Sequence, residues 1–167
     1  LASGVRTIRA LDHTGRLQAH RVTQRKVDLL NFTHTYDAAG LLAQTQDHRG
    51  ADQSQHFAYD DLRRLTRAQG SYGVQTWTYS DDDNLTQSGD ASYSYAGPQP
   101  HAVTAARGQS FTYDAAGNLA AVAGKGPVPA GTWRTNPQGR VESFTAENGD
   151  RTEHIYDHAG TEAIRRE

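Results

Sequence analysis

Tyrosine is followed directly by aspartate four times in the 167-residue sequence, at residues 36–37, 59–60, 113–114 and 156–157. A tyrosine ring can stack on a sugar while the neighbouring carboxylate binds sugar hydroxyl groups, so these pairs could form a carbohydrate-binding platform. The alternative is structural, because tyrosine packs well in a β-sheet and aspartate accepts hydrogen bonds from backbone N–H groups in a turn. The structural interpretation explains both residues without a ligand, and we favour it. No ligand-binding residue is assigned.

Two further clusters suggest metal chemistry. The acidic run "SDDDN" at residues 80–84 suggests calcium, but a calcium loop needs oxygen ligands at alternate positions and a distal bidentate acid. His154 and His158 are four residues apart, a spacing that joins two histidines on a helix but not across a hairpin turn, and "EHIYDH" lacks the HExxH order. The chain has no cysteine, which excludes a disulfide and a thiolate metal site. We therefore expect no metal and no cofactor.

Motifs for catalysis and for nucleic-acid binding are absent from the sequence. There is no G-x-S-x-G motif, no cysteine nucleophile and no glycine-rich phosphate loop. The 17 basic and 19 acidic residues leave no strongly basic surface for a dedicated nucleic-acid binder. No apolar run approaches the roughly 18 residues of a membrane helix, and the first ten residues lack the apolar segment of a signal peptide. We predict a non-enzyme without a membrane span.

The tyrosine–aspartate pairs belong to a longer repeat. When the tyrosine of "YDAAGNL" is position 0, aspartate is +1, glycine is +4 and leucine is +6. The same frame recurs in registers that begin at Leu11, Tyr36, Tyr59, Tyr79, Tyr113, Thr135 and Tyr156. A degenerate eighth unit lies around Tyr93 and Tyr95, which gives a repeat of roughly 16–25 residues, the size of one β-hairpin with its connection. We predict one repeat array over residues 1–167, with turns near residues 11–17, 36–42, 59–65, 79–85, 93–103, 113–119, 135–141 and 156–162.

The residues upstream of position 0 alternate in period two, as in Phe57 and Tyr59 or Phe111 and Tyr113, which is typical of a β-strand. Aspartate at +1 closes a turn, glycine at +4 supplies a positive φ, and the aliphatic residue at +6 returns to the aromatic face. The fold class is therefore all-β: consecutive antiparallel hairpins that form a curled or spiralling sheet. Apolar residues make up 35 % of the chain, below the usual roughly 45–50 %, which favours a thin sheet over a thick core.

The repeat motif assigns structural roles to the residues at positions 0, +1, +4 and +6. Two repeats lack glycine at +4. Asp83 tolerates the left-handed conformation that this position needs, whereas Arg63 is harder to accommodate and favours a different turn. The assigned residues are Tyr36, Asp37, Gly40, Leu42, Tyr59, Asp60, Leu65, Tyr79, Leu85, Tyr113, Asp114, Gly117, Leu119, Gly139, Val141, Tyr156, Asp157 and Gly160.

In this frame the chain resembles the Rhs/YD-repeat family. "YDAAGNL", "YDAAGLL" and "YDHAG" resemble its YD motif, and "YAGPQPHAVTAARGQSFTYDAAGNL" resembles the stretch before the last repeats of bacterial Rhs and insecticidal Tc toxins. Residues 132–167 resemble the terminal pair of repeats, so the resemblance covers essentially the whole chain. It implies hairpins joined edge to edge into a hollow shell, with His101 in "PHAVT" as a structural residue of the wall.

The resemblance also implies a function. In bacterial toxins of this family the shell encloses a C-terminal effector, and in teneurins a related barrel serves cell adhesion. We therefore expect a non-catalytic wall segment of an effector-enclosing toxin shell, secreted or exported by a bacterium and associated with the cell surface or a toxin complex. Its expected partners are the rest of its shell, an effector domain and other toxin-complex subunits. The alternative is a YD-repeat module that binds carbohydrate or protein at the cell surface.

The sequence is expected to be a segment of a much larger chain. It contains no methionine, and neither the family's core block with its aspartate-dependent self-cleavage nor an effector domain is recognisable in it. A strip of hairpins of this size leaves unpaired sheet edges, which invite association with another chain. We expect these edges to pair with neighbouring sheet, with a second copy or with the chain's own termini.

Overall fold

The structure is a computed structural model that describes residues 4–50, 53–157 and 159–166. Apart from a 3-10 residue at Gln53, all regular secondary structure in these residues is β, and none of them forms a helix long and apolar enough to cross a membrane. The strands are β1 (Val5–Leu11), β2 (Leu17–Gln24), β3 (Val27–Tyr36), β4 (Leu42–Asp47), β5 (Gln55–Tyr59), β6 (Leu65–Gly70), β7 (Gly73–Tyr79), β8 (Leu85–Ser88), β9 (Ala91–Ser94), β10 (Ala105–Ala106), β11 (Gln109–Tyr113), β12 (Leu119–Ala123), β13 (Gly131–Thr135), β14 (Val141–Ala146), β15 (Arg151–Tyr156) and β16 (Glu162–Arg166).

The chain divides into two compact units, Leu1–Thr78 and Tyr79–Glu167. In the first unit β1 to β7 pair in chain order, and every pair is antiparallel. In the second unit β8 to β16 pair in the same way. The predicted all-β class, with antiparallel strands in sequence order, is confirmed.

Six hairpins closed by the seven-residue motif, those with turns at residues 11–17, 36–42, 59–65, 113–119, 135–141 and 156–162, have the same irregularity. Position 0 pairs with position +6, as in Tyr36 opposite Leu42 and Tyr113 opposite Leu119. The preceding residue then pairs two positions further on, so that the residue at +7 is left over as a β-bulge. A bulge increases the local twist and fixes the register. The motif therefore sets which side chains share a face of the sheet.

The hydrophobic core of the described residues is small. Its buried apolar residues are Ala68, Ala106 and Val122, and Asp47, Gln109 and Ser143 are buried as well. The larger rings are only half-buried, and Trp133 and Phe144 form the one ring pair, with centroids 4.6 Å apart, among the residues described. Because so little apolar surface is removed from water, regular polar contacts must supply much of the order in these sheets.

Candidate functional site: the row of repeat turns

The seven repeat turns, which occupy residues 11–17, 36–42, 59–65, 79–85, 113–119, 135–141 and 156–162, share one backbone geometry. In each, the N–H at +1 donates to the carbonyl at +5 at 2.8–3.0 Å, and the N–H at +4 donates to the carbonyl at +1 at 2.9–3.1 Å. This is a three-residue hairpin loop, in which a type I turn is followed by a residue with positive φ. The same short loop thus recurs wherever the motif occurs.

Position +4 adopts a left-handed conformation whether or not it is glycine. The φ angle is +85° at Gly117, +62° at Asp83 and +66° at Arg63. Arg63 also makes the +4 to +1 hydrogen bond, at 2.9 Å, so the expectation of a different turn there is wrong. The rest of the loop enforces the conformation, at a cost for a residue with a Cβ of roughly 1–2 kcal/mol.

The side chain at +1 accepts hydrogen bonds from its own turn. Asp114 Oδ1 accepts from the N–H groups of Ala116 and Asn118, both at 2.9 Å, and its Oδ2 accepts from Asn118 Nδ2 at 3.0 Å. Asn136 replaces aspartate in one repeat and accepts the equivalent backbone bonds from Gln138 and Arg140. The acceptor oxygen, rather than the negative charge, is what the backbone turn requires.

These contacts lower the pKa of the Asp12 and Asp114 carboxyl groups. The side-chain hydrogen bond from Asn118, together with the N–H of the same residue, lowers the pKa of Asp114. At Asp12 the Thr14 hydroxyl has the largest effect, and the Arg16 side chain adds to it in lowering the pKa. Hydrogen bonds to the ionised form favour that form. Asp12 and Asp114 therefore remain charged acceptors within their own turns at neutral pH.

The tyrosine at position 0 makes a contact that the sequence analysis missed. Its hydroxyl donates to a backbone carbonyl of the preceding repeat, in most cases the carbonyl at +6. We call this contact the inter-repeat tyrosine bond. The bonds are Tyr36 to Leu17 (2.8 Å), Tyr59 to Leu42 (3.1 Å), Tyr95 to Leu85 (2.9 Å), Tyr113 to Val103 (2.9 Å) and Tyr156 to Val141 (2.8 Å).

One signal in the sequence could have revealed this bond. Phenylalanine occurs two residues before position 0 in two repeats, at Phe57 and Phe111, but it never occupies position 0 itself. Both positions lie on the same face of a strand, so packing alone does not distinguish the two rings. A consistent preference for tyrosine over phenylalanine indicates a hydrogen-bond partner for the hydroxyl group.

The degenerate eighth unit follows the same plan with a longer loop. Tyr95 takes the role of position 0, and Val103 supplies the carbonyl for Tyr113. Between them, Pro100 O accepts from Asn84 Nδ2 at 2.8 Å, His101 Nδ1 lies 2.9 Å from Asn84 Oδ1, and Gln99 Nε2 donates to Asp114 O at 3.0 Å. The loop of residues 96–103 thus connects the repeat turns 79–85 and 113–119.

The side chain at +5 forms a second contact between repeats at Arg16 and Arg140. The Arg16 guanidinium lies 4.3 Å from the centroid of the Tyr36 ring, and that of Arg140 lies 5.7 Å from the Tyr156 ring. Such cation–π contacts are worth about 0.5–1 kcal/mol at exposed sites. The Arg140 guanidinium also fills the space that a Cβ at Gly160 would enter. Glycine at +4 is therefore required there both by its positive φ and by the neighbouring arginine.

The sugar platform considered for the tyrosine–aspartate pairs does not fit this arrangement well. The hydroxyls of Tyr36, Tyr59, Tyr113 and Tyr156 donate to backbone carbonyls. The carboxylates beside them, at Asp37, Asp60, Asp114 and Asp157, accept N–H groups of their own turns. The groups that would bind a sugar already have partners.

The structure does not assemble a metal site in the part of the chain that it describes, since no group of three or more histidine, aspartate or glutamate side chains there could hold an ion. Asp81, Asp82 and Asp83 of the acidic run are exposed. His154 Nδ1 lies 2.8 Å from Glu162 Oε1. His158, the other histidine of the suggested pair, is outside the described residues.

The chain is similar to known proteins in both sequence and structure. The family profile described as "Teneurin YD-shell" matches residues 2–167. A Tc holotoxin pore from Photorhabdus luminescens is similar with a TM-score of 0.61 and 16 % identity, over 98 % of this chain and 10 % of that one. A TcdB2-TccC3 structure without its hypervariable C-terminal region is similar with a TM-score of 0.56 and 17 % identity, over 98 % and 9 %. No curated protein matches. The chain spans about a tenth of the solved chains it resembles.

Proposed function

The chain belongs to the teneurin YD-shell family, and on this basis we propose that it is a non-catalytic wall segment of a YD-repeat shell that encloses a toxin effector. Residues 1–167 form one repeat array within a much larger polypeptide, with the eight turns named above. Its partners are the remainder of its own shell and an effector domain, with other toxin-complex subunits as further candidates. The protein is exported by a bacterium and associated with a toxin complex or the cell surface.

The observation that carries this proposal is the use of the repeated side chains. The aspartate at +1 holds its own turn, and the tyrosine at 0 binds the repeat before it. Repeats that contact only their neighbours in this way build extended structures whose stability is a sum of local and nearest-neighbour terms. A wall needs such couplings and no catalytic residue. The fold shared with the Tc structures supports the same role.

Limited proteolysis of the full-length gene product tests enclosure. We expect the polypeptide outside the YD repeats to resist trypsin in the native protein and to be digested once the wall is weakened. The weakened variant combines Tyr36→Phe, Tyr59→Phe, Tyr113→Phe and Tyr156→Phe, and its matched control is Tyr72→Phe, because Tyr72 is exposed outside the repeat motif. Equal digestion of the enclosed region in native and weakened protein would contradict the proposal.

The alternative function is binding of carbohydrate or protein by the repeats at a cell surface. The engaged hydroxyls and carboxylates described above disfavour a tyrosine–aspartate sugar site. A glycan array probed with the 167-residue chain discriminates the two functions. Specific glycan binding that is lost in Tyr36→Phe but kept in Tyr72→Phe would favour the binding module over the wall.

A further inference from the structure

The repeat that begins at Thr135 departs from the others at the position that links neighbouring repeats. Threonine stands where the other repeats of the second unit carry tyrosine, and it lacks the phenol ring that spans the distance to the preceding repeat. The equivalent acceptor is the carbonyl of Leu119, at +6 of the repeat before it. The junction between β12 and β13 is therefore built without an inter-repeat tyrosine bond.

The backbone ladder at this junction is also short. β12 and β13 pair at only two positions, Ala121 with Thr132 and Val122 with Gly131. β11 with β12 pairs at four positions, and β13 with β14 at five. Other junctions with two pairs, such as β4 with β5 and β8 with β9, are reinforced by the tyrosine bonds of Tyr59 and Tyr95. Among the junctions between successive repeats in the described part of the second unit, only β12–β13 combines a short ladder with a missing tyrosine.

The opposite end of the same junction is held firmly. The connecting loop of residues 124–130 is bound by Gln109, whose side chain is 3 % exposed. Gln109 Nε2 donates to Val128 O at 2.6 Å and to Gly124 O at 3.3 Å, and its Oε1 accepts from Val128 N at 3.1 Å. The side chain also occupies the space beside Gly126 that a Cβ would need. One buried amide thus fixes the loop to β11.

We propose that the β12–β13 junction is a built-in opening line, at which β13 to β16 separate from the preceding strands as one block. The junction parts at the turn end, beside Thr135, while the Gln109-bound loop acts as the hinge. The block keeps its own order, because Tyr156 bonds to Val141 and the rings of Trp133 and Phe144 pack together within it. The inference goes beyond the wall function and does not depend on an effector being enclosed.

Hydrogen–deuterium exchange of the 167-residue chain tests the opening line. We expect amides of residues 119–123 and 131–135 to exchange faster than those of the β14–β15 ladder at residues 143–145 and 151–153, since local opening of lower free energy exposes them more often. Equal or slower exchange at the junction would overturn the proposal. This comparison lies within one chain and does not require a variant to fold.

Thr135→Tyr adds the missing phenol, and Thr135→Phe adds the same ring without the hydroxyl. If the absent tyrosine bond weakens the junction, junction amides in Thr135→Tyr should exchange about 2- to 10-fold more slowly than in Thr135→Phe, the range expected for one added hydrogen bond. Indistinguishable exchange in the two variants would show that the missing hydroxyl is not the cause, and would overturn this part of the inference.

Gln109→Ala releases the hinge. We expect faster exchange at residues 124–135 in this variant, because the backbone groups of Gly124 and Val128 lose their partner. Gln87→Ala is the matched control, since Gln87 makes a similar side-chain bond to Gly89 O, at 3.0 Å, in an exposed turn. An unchanged loop in Gln109→Ala, or an equal change in Gln87→Ala, would count against a hinge at this loop.

Discussion

The two ends of the strands in each unit are built on different principles. At the turn end, the same short loop recurs, with a hydrogen-bonded side chain at +1 and, where tyrosine is present, a bond to the preceding repeat. At the other end, which we call the loop end, the connections differ in length and in the side chains that hold them. The loop after β2 consists of Arg25 and Lys26, both with positive φ. The loop of residues 124–130 is instead bound by the Gln109 side chain. The side-chain contacts that recur between neighbouring repeats lie at the turn end, whereas the loop end holds contacts that are specific to one hairpin.

The connection between β14 and β15 shows that the backbone turn alone does not make this difference. Ala146 N donates to Asp150 O at 2.8 Å and Gly149 N to Ala146 O at 2.9 Å, the same geometry as a repeat turn. Ala146 has no acceptor side chain, however, and Asn148 Oδ1 accepts from Asp150 N instead. The two ends can share a loop conformation. They differ in the side chains that tie one hairpin to the next.

The loop end holds the most deeply buried charge of the described residues. The Asp47 side chain is fully buried, and its carboxylate binds the N–H and guanidinium of Arg49, with Oδ2 to Nη2 at 2.8 Å. The Arg49 guanidinium also donates to Leu29 O and lies over the Phe32 ring. Hydrogen bonding by Arg49 lowers the pKa of Asp47. Here, unlike at Asp114, whose side-chain partner is the neutral Asn118, the charge of the aspartate is part of the contact.

The largest difference in melting temperature is expected between Asp47→Asn, at the loop end, and Asp114→Asn, at the turn end. Loss of one partner of a buried ion pair is strongly destabilising, so we expect Asp47→Asn to lower the melting temperature by on the order of 5 °C or more. Asp114→Asn should stay close to the native value, because Asn136 already fills the equivalent position in another repeat. Thermal unfolding followed by circular dichroism measures both. Equal losses would remove the distinction between the two ends.

Gly160→Ala and Gly149→Ala compare one loop conformation at the two ends. Both glycines have positive φ, +82° and +93°, so each variant should lose about 1–2 kcal/mol for the left-handed conformation. At Gly160 the new Cβ also displaces the Arg140 guanidinium from the Tyr156 ring, whereas nothing lies within 4 Å at Gly149. We expect Gly160→Ala to cost about 0.5–1 kcal/mol more in urea unfolding. A larger loss in Gly149→Ala would contradict the inter-repeat packing.

Tyr59→Phe removes an inter-repeat tyrosine bond at the turn end without removing the ring. We expect a loss of about 0.5–1.5 kcal/mol in free energy of unfolding, the net contribution of one hydrogen bond. Tyr72→Phe provides the control at the loop end, where the side chain is 46 % exposed, and should change stability by less than about 0.5 kcal/mol. Equal effects of the two variants would show that the hydroxyl at position 0 does not couple the repeats.

Acid should weaken the turn end gradually. The pKa values of Asp12, Asp60 and Asp114 are lowered from the ordinary value of 3.8. Their ionised forms therefore stabilise the fold fully above about pH 5, and that contribution is lost as the pH falls through 3.8 toward the folded-state pKa values. Asp114→Asn should flatten the pH dependence of the melting temperature slightly between about pH 5 and 2. A steeper pH dependence of the melting temperature in this variant would show that ionised Asp114 does not stabilise the fold.

The turn end was predictable from the sequence because its determinants are local. Asp114 and Gly117 act within one loop, and their types and spacing are visible in a single repeat. The tyrosine bonds were missed because donor and acceptor are 10 to 19 residues apart, and a ring at position 0 is explained by packing alone. Arg63 was misjudged because its intrinsic preference is overridden by the hairpin around it.

The loop end was not predictable in the same way. Gln109 and Asp47 belong to no repeated pattern, so nothing in the sequence marks them as buried. Their partners, Val128 and Arg49, are specific to a single loop. Sequence periodicity reveals the features that repeats share, but it does not reveal a contact that occurs only once. The contacts that distinguish one hairpin from the next therefore required the structure.

The described tyrosine bonds all run in one direction along the chain, from the hydroxyl of a later repeat to a carbonyl of an earlier one. During translation the acceptor leaves the ribosome before the donor. Each new repeat thus meets a partner that has already been synthesised, and it can dock as soon as its own hairpin has closed. Because chains emerge at about 5–20 residues per second, the sheet can extend at the pace of synthesis. The polarity of a single hydroxyl contact suits this protein to vectorial, co-translational assembly.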